Sequence, residues 1–118
     1  MKRLTEAHLQ KLEALKKERF LLECVEKLDR LAIKDAFPAK REDYYAFAEH
    51  IYKIAMKHDL KSKQAIFTLM LAWHIKGDAI IQDQGFMQVL NHPSLTSAQK
   101  KEYFEKFIFD TMPKEEEA

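Results

Sequence analysis

The stretch Ala65–Ile75, "AIFTLMLAWHI", contains eleven residues of which only Thr68 and His74 are not apolar. In a chain that is 33% charged, such a run has few places to go. As a helix it spans roughly 16 Å at 1.5 Å per residue, about half a bilayer core, so it is too short to cross a membrane. A short helix that is apolar on nearly every side belongs inside a bundle, enclosed by helices with polar outer faces. Two Gly and three Pro leave few tight turns for a many-stranded sheet, and the abundant Leu, Ala, Lys, Glu and Met are good helix formers. The expected fold is all-α: a single compact bundle of about five helices around a central apolar helix over about 63–76.

The flanking segments supply the enclosing helices. A long amphipathic helix is expected from Thr5 to Ile33, ended by Phe37-Pro38 because the residue before proline avoids helical torsions. Its first half carries a sparse stripe, Leu9, Leu12 and Leu15. Its second half carries a denser one of Leu21, Leu22, Val25, Leu28 and Leu31. A second helix is expected over Glu42–His58, with Tyr44, Phe47, Ala48, Ile51 and Ala55 on one face and Tyr45, Tyr52 and Met56 widening it. Ser62 is a plausible N-cap for the central helix, and Gly77 stands where a left-handed C-cap would. Asp78–Gln84 reads as a polar loop, Phe86–Leu90 as a brief helix. "TSAQ", Thr96–Gln99, has the pattern of a capping box for a last helix reaching about Asp110. That helix turns Tyr103, Phe104, Phe107 and Ile108 inward, with Glu102 and Lys106 outward. The domain is expected to cover residues 1–112, followed by an acidic solvated tail over 113–118.

Twenty basic against nineteen acidic residues give a formal charge of +1, which offers no general attraction to nucleic acid or anionic lipid. Cys24 is the single cysteine, so no intrachain disulfide forms. With no apolar signal-type segment at the start, a cytoplasmic location is expected.

Chemistry-bearing patterns are sparse. His8, His50, His58, His74 and His92 contain no pair four residues apart, and no HExxH or Cys-His cluster occurs. His74, among apolar neighbours, reads as a neutral hydrogen-bonded core imidazole, and Cys24 as a buried structural thiol. Gly77 and Gly85 are too few for a phosphate-cradling loop or a dinucleotide fingerprint. An EF-hand counted from Asp78 would place Val89 where the bidentate glutamate belongs. No catalytic residue, no cofactor and no metal are expected, so the chain reads as a non-enzymatic protein-binding module.

The candidate partner-binding residues are Leu9, Leu12 and Leu15 on the sparse stripe, the adjacent Tyr44 and Tyr45, and Asp78, Gln82, Asp83 and Gln84 in the polar loop. A helix with one narrow apolar stripe gains by docking on another protein or on a copy of itself. Two other classes compete. A nucleic-acid-associated regulator would use Lys11, Lys16, Lys17 and Arg19, although Glu13 and Glu18 interleave them. A helix-turn-helix is disfavoured, because its reading helix would be the apolar run. A small enzyme would need a pocket built from His50, His58 and nearby carboxylates.

The pieces "AEHIYKIAMKHDLKSKQAIFTLML", "KGD" and "FMQVLNHPSLTSAQKKEYFEKF", spanning Ala48 to Phe107, resemble in order a family of small helical proteins encoded beside effector genes in bacterial type VI secretion clusters. Here His58-Asp59-Leu60 replaces that family's Tyr-Gly-Ile-like turn. The resemblance covers about half the chain and contains no catalytic motif. It implies an accessory, adaptor or immunity role, exercised by binding an effector protein.

Overall fold

The computed structural model describes residues 5–112, so the acidic tail expected over 113–118 lies outside the described residues. Five α-helices follow one another: α1 (Glu6–Leu31), α2 (Tyr44–Lys57), α3 (Lys63–Lys76), α4 (Gln84–Asn91) and α5 (Ser97–Thr111). Short 3-10 turns precede α2 (Arg41–Asp43) and α4 (Gly77–Gln82), and no strand occurs among the described residues.

α3 is the centre. Ser62 Oγ accepts from the Ala65 N–H at 3.0 Å and starts the helix. Gly77 ends it at φ +74°, a backbone region open to glycine. Between them Ala65, Ile66, Leu69, Met70, Ala72, Trp73 and His74 are all buried. α5, α2 and α1 pack around this rod and leave only the stripe of Phe67, Leu71 and Ile75 half-buried. Phe86 of α4 and Phe104 of α5 close the far side, with ring centroids 4.9 Å apart.

α1 behaves as two halves. Phe20, Leu21, Cys24 and Leu28 are buried, whereas no helix residue from Glu6 to Arg19 is. The helix is about 39 Å long at 1.5 Å per residue, and its first half projects as an arm. The molecule measures 66 × 35 × 23 Å, with a radius of gyration of 16.1 Å, against about 13 Å for a compact domain of this length. The dense stripe expected over Leu21–Leu31 is corrected here. Leu22 and Leu31 are 52% and 51% exposed, and Phe20 and Cys24 take the inner face instead. The helix also ends earlier than Pro38 requires, because Ala32 turns left-handed at φ 46° and returns its N–H to the Asp29 carbonyl.

α2 closes with a Schellman turn: the Leu60 N–H reaches the Ala55 carbonyl at 3.0 Å and the Asp59 N–H reaches Met56 at 3.2 Å. Asp59 holds φ +57° where glycine is usual, and Leu60 behind it is 1% exposed. The capping box at α5 forms as read, with Gln99 N–H to Thr96 Oγ1 at 3.1 Å and Thr96 N–H to Gln99 Oε1 at 2.9 Å. On the outer face of α5 the ion pair is Lys101–Glu105 at 2.9 Å.

His74 ties the loop between α1 and α2 to α3. Its Nδ1–H donates to the Phe37 carbonyl at 2.9 Å, while the Phe37 N–H donates to the His74 carbonyl at 2.8 Å. The rings of Tyr44 and Phe47 enclose it, and Nε2 has no partner. Burial holds this imidazole below its ordinary 6.5, with the Phe37 bond opposing. His58 is likewise held low, by desolvation and then by the nearby Lys100 and Lys57. A base whose folded pKa is depressed takes up protons more readily when unfolded, so stability falls as pH drops through 6.5. Urea midpoints measured from pH 7.5 down to 5 should therefore decline. A His74→Leu chain should show a shallower decline, and an equal slope in both would contradict this account.

Burial also pushes the Cys24 thiol up to about 12, with Glu23 adding to the rise and Lys27 opposing it. At pH 8 a thiol-reactive dye should modify Cys24 only in denaturant. Labelling of the native chain at the rate of a free thiol would contradict its placement.

Candidate functional site

Where the arm leaves the body, a groove of about 540 Å³ opens between α1, α2 and the start of α3. Phe20, Tyr52, Met56, Leu60 and Ile66 form its floor. Phe20, Leu60 and Ile66 are themselves buried in the core, and their inner sides fix the floor in place. Tyr52 tilts against Phe20 at 6.0 Å, and Met56 is 42% exposed at the open side. The rim carries Lys16, Lys17, Lys61 and Lys63 against Glu13 and Asp59, a formal surplus of two positive charges. Lys17 lies over the Tyr52 ring at 5.3 Å, its stem covering apolar surface while the ammonium stays wet. Local chain geometry explains the assembly. Glu13, Lys16, Lys17 and Phe20 recur at three- and four-residue spacing on α1, Tyr52 and Met56 do so on α2, and the Schellman turn carries Leu60 and Lys61 across.

Leu9, Leu12 and Leu15 are 47%, 43% and 55% exposed on the arm. A second hollow of about 310 Å³ is bounded there by His8, Lys11, Leu12 and Leu15. The other candidates separate. Tyr44, expected at a contact surface, is buried, with its ring edge-on to His74 at 5.2 Å. Tyr45 is the exposed member of the pair, at 37%. The polar loop is instead a 3-10 turn that buries Ile80. Two of its acids have structural partners: Asp78 accepts from the Trp73 indole N–H at 3.3 Å, and Asp83 accepts from the Phe86 N–H at 3.0 Å to cap α4. Gln82 and Gln84 are exposed. Leu12 and Leu15 line one hollow and Gln84 another, so these candidates do not build a single site.

A polar pocket of about 220 Å³ has Lys57, His58, Asp59, His92, Ser97 and Lys100 among its lining residues. Lys100 is 5% exposed. Its ammonium donates to the Leu90 carbonyl at 2.8 Å and lies 3.5 Å from the His58 carbonyl, where α4 and α2 end. Ser97 Oγ accepts from the Lys61 N–H at 3.0 Å and donates to the Asp59 carbonyl at 3.4 Å. These bonds join helix ends. His50 stands elsewhere, edge-on to Trp73 at 6.4 Å, so His50 and His58 share no pocket. No group of three or more His, Cys, Asp or Glu able to hold a metal occurs among the described residues.

No family model, curated protein or solved structure matches the chain. The site is therefore read from its own residues. The basic residues Lys11, Lys16, Lys17 and Arg19 point to different sides of α1, since successive residues turn by about 100°, and Lys17 is engaged with Tyr52. They make no single stripe for a phosphate backbone. No helix among the described residues is long and apolar enough to cross a membrane. Sequence reasoning missed the groove and Lys100. The signal for the first was the extra apolar face of α2 at Tyr52 and Met56. The signal for the second was the four-residue spacing from Phe104 back to Lys100.

Proposed function

We propose that the chain is a non-enzymatic protein-binding module whose groove receives an acidic amphipathic segment of another protein. The observation that carries this reading is an apolar floor with a lysine-rich rim. Apolar side chains of a partner would leave water on Phe20, Tyr52 and Met56, while its carboxylates would meet Lys61 and Lys63. A buried apolar centre with a charged rim is the usual anatomy of protein recognition, and the rim fixes orientation and speeds encounter. The type VI resemblance adds a partner class: a secreted effector, which would make the chain an immunity or adaptor protein. A cytoplasmic home fits that role, and the lone buried thiol of Cys24 accords with it.

The test compares the wild-type chain with a Met56→Glu/Lys61→Glu variant, each immobilised and offered proteins encoded beside its gene. Both substitutions lie at exposed positions, so the fold should be unchanged by circular dichroism. A partner retained by the wild type should lose at least about tenfold in affinity on the variant, roughly 1.4 kcal/mol. Equal retention by both chains, or by neither, would contradict the reading.

A further inference from the structure

We infer that α1 also pairs with α1 of a second copy of this chain, antiparallel, through a seam on its outer side. At about 100° per residue, the buried Phe20, Leu21, Cys24 and Leu28 occupy one side of the helix. Leu12, Leu15 and Leu22 fall on the opposite side, within an arc of about 80° that also holds the exposed Arg19, whose stem lies between the leucines. They are 43%, 55% and 52% exposed, and their spacings of three and seven are those of a heptad seam. The hollow bounded by His8, Lys11, Leu12 and Leu15 lies on this same side. Residues at i, i+3, i+4 and i+7 are the four that frame the hole for a facing knob in a coiled coil. The hollow thus has the form that an apolar side chain of another helix fills.

Flanking charge selects the occupant and its direction. In a parallel pair Lys11 would face Lys16 of the second copy, and Glu18 would face Glu23, like against like. In an antiparallel pair, Leu15 of the second copy enters the hollow beside Leu12. Lys11 then faces Glu18, and the two-fold axis repeats that pair. Leu9 lies at the edge, over the stem of Lys16 of the second copy. The seam is about two heptads long, so the dimer is expected to be weak and concentration-dependent. It shares Lys16 with the groove rim but leaves the groove floor open, and this inference does not rest on the groove.

Sedimentation equilibrium over roughly 5–500 µM is the test. The wild type should pass from monomer to dimer, and Leu15→Glu should remain monomeric throughout with an unchanged helical spectrum. Lys11→Glu should weaken the dimer about tenfold by replacing two attractions with two repulsions. Lys11→Glu combined with Glu18→Lys should restore it. A wild type that stays monomeric at the highest concentration would overturn the inference. So would a dimer indifferent to Leu15→Glu, or one tightened by Lys11→Glu, which is the parallel outcome. The groove variant Met56→Glu/Lys61→Glu should dimerise normally, separating this result from the binding test above.

Discussion

Phe104→Ala is expected to lower the unfolding free energy by about 4 kcal/mol. Phe104 sits on the inner face of α5, fully buried, with Phe86 of α4 at 4.9 Å between ring centroids. Phe86 in turn meets Phe107 at 4.8 Å. Truncation removes the ring from water-free surroundings and leaves a cavity at the junction of three helices, which cannot collapse without moving α4. Both the transfer and the cavity contributions act in the same direction. Phe109, on the same helix but 73% exposed, is the control. Phe109→Ala should change stability by less than about 0.5 kcal/mol. Urea unfolding followed by circular dichroism gives both values. A loss at Phe104 no larger than at Phe109 would mean that α5 does not pack as described.

The second large effect is expected at Lys100, where Lys100→Met should cost about 2 kcal/mol. The ammonium bonds the Leu90 carbonyl in the last turn of α4 and approaches the His58 carbonyl at the end of α2. A cation placed at two helix C-termini is favoured by both helix dipoles. Methionine keeps much of the buried stem while leaving Leu90 without its donor. Burial works against the charge: desolvation lowers the Lys100 pKa from 10.5, and Asp59 partly counters it. The net penalty is therefore set below that of the Phe104 cavity. A Lys100→Met chain as stable as the wild type would show that desolvation cancels the capping.

How much of this was legible depends on how local each cause is. α3 could be read because an all-round apolar helix has only one place in a soluble bundle. Ser62 and Thr96 could be read because a cap and the N–H groups it satisfies lie within three residues of each other. The phase of α1 could not. Leu21 and Leu22 are equally apolar neighbours, and only the packing of α2 and α3 decides that Leu21 turns inward with Phe20 and Cys24. The left-handed residues Ala32 and Asp59 carry no glycine to announce them, so the end of α1 was placed too far along the chain. Tyr44 and Tyr45 both read as contact residues, because adjacent tyrosines look alike in sequence, yet only Tyr45 is exposed. Which of them turns inward follows only once His74 is seen to pack edge-on against Tyr44. The groove was invisible because its floor is drawn from α1, α2 and α3 together. Lys100 was overlooked because a lysine is read as solvated, although its spacing from Phe104 sets it on the inner face.

These placements converge on one division of the molecule, in which α3 lies inside the body while the arm and groove stay exposed. Hydrogen exchange followed by mass spectrometry, at a dilution where the arms are unpaired, measures that division directly. Amides of α3 from residue 67 onward should exchange slowest, only through global unfolding, and those of α1 before Phe20 should exchange orders of magnitude faster. An α3 that exchanges as fast as the arm would contradict the account.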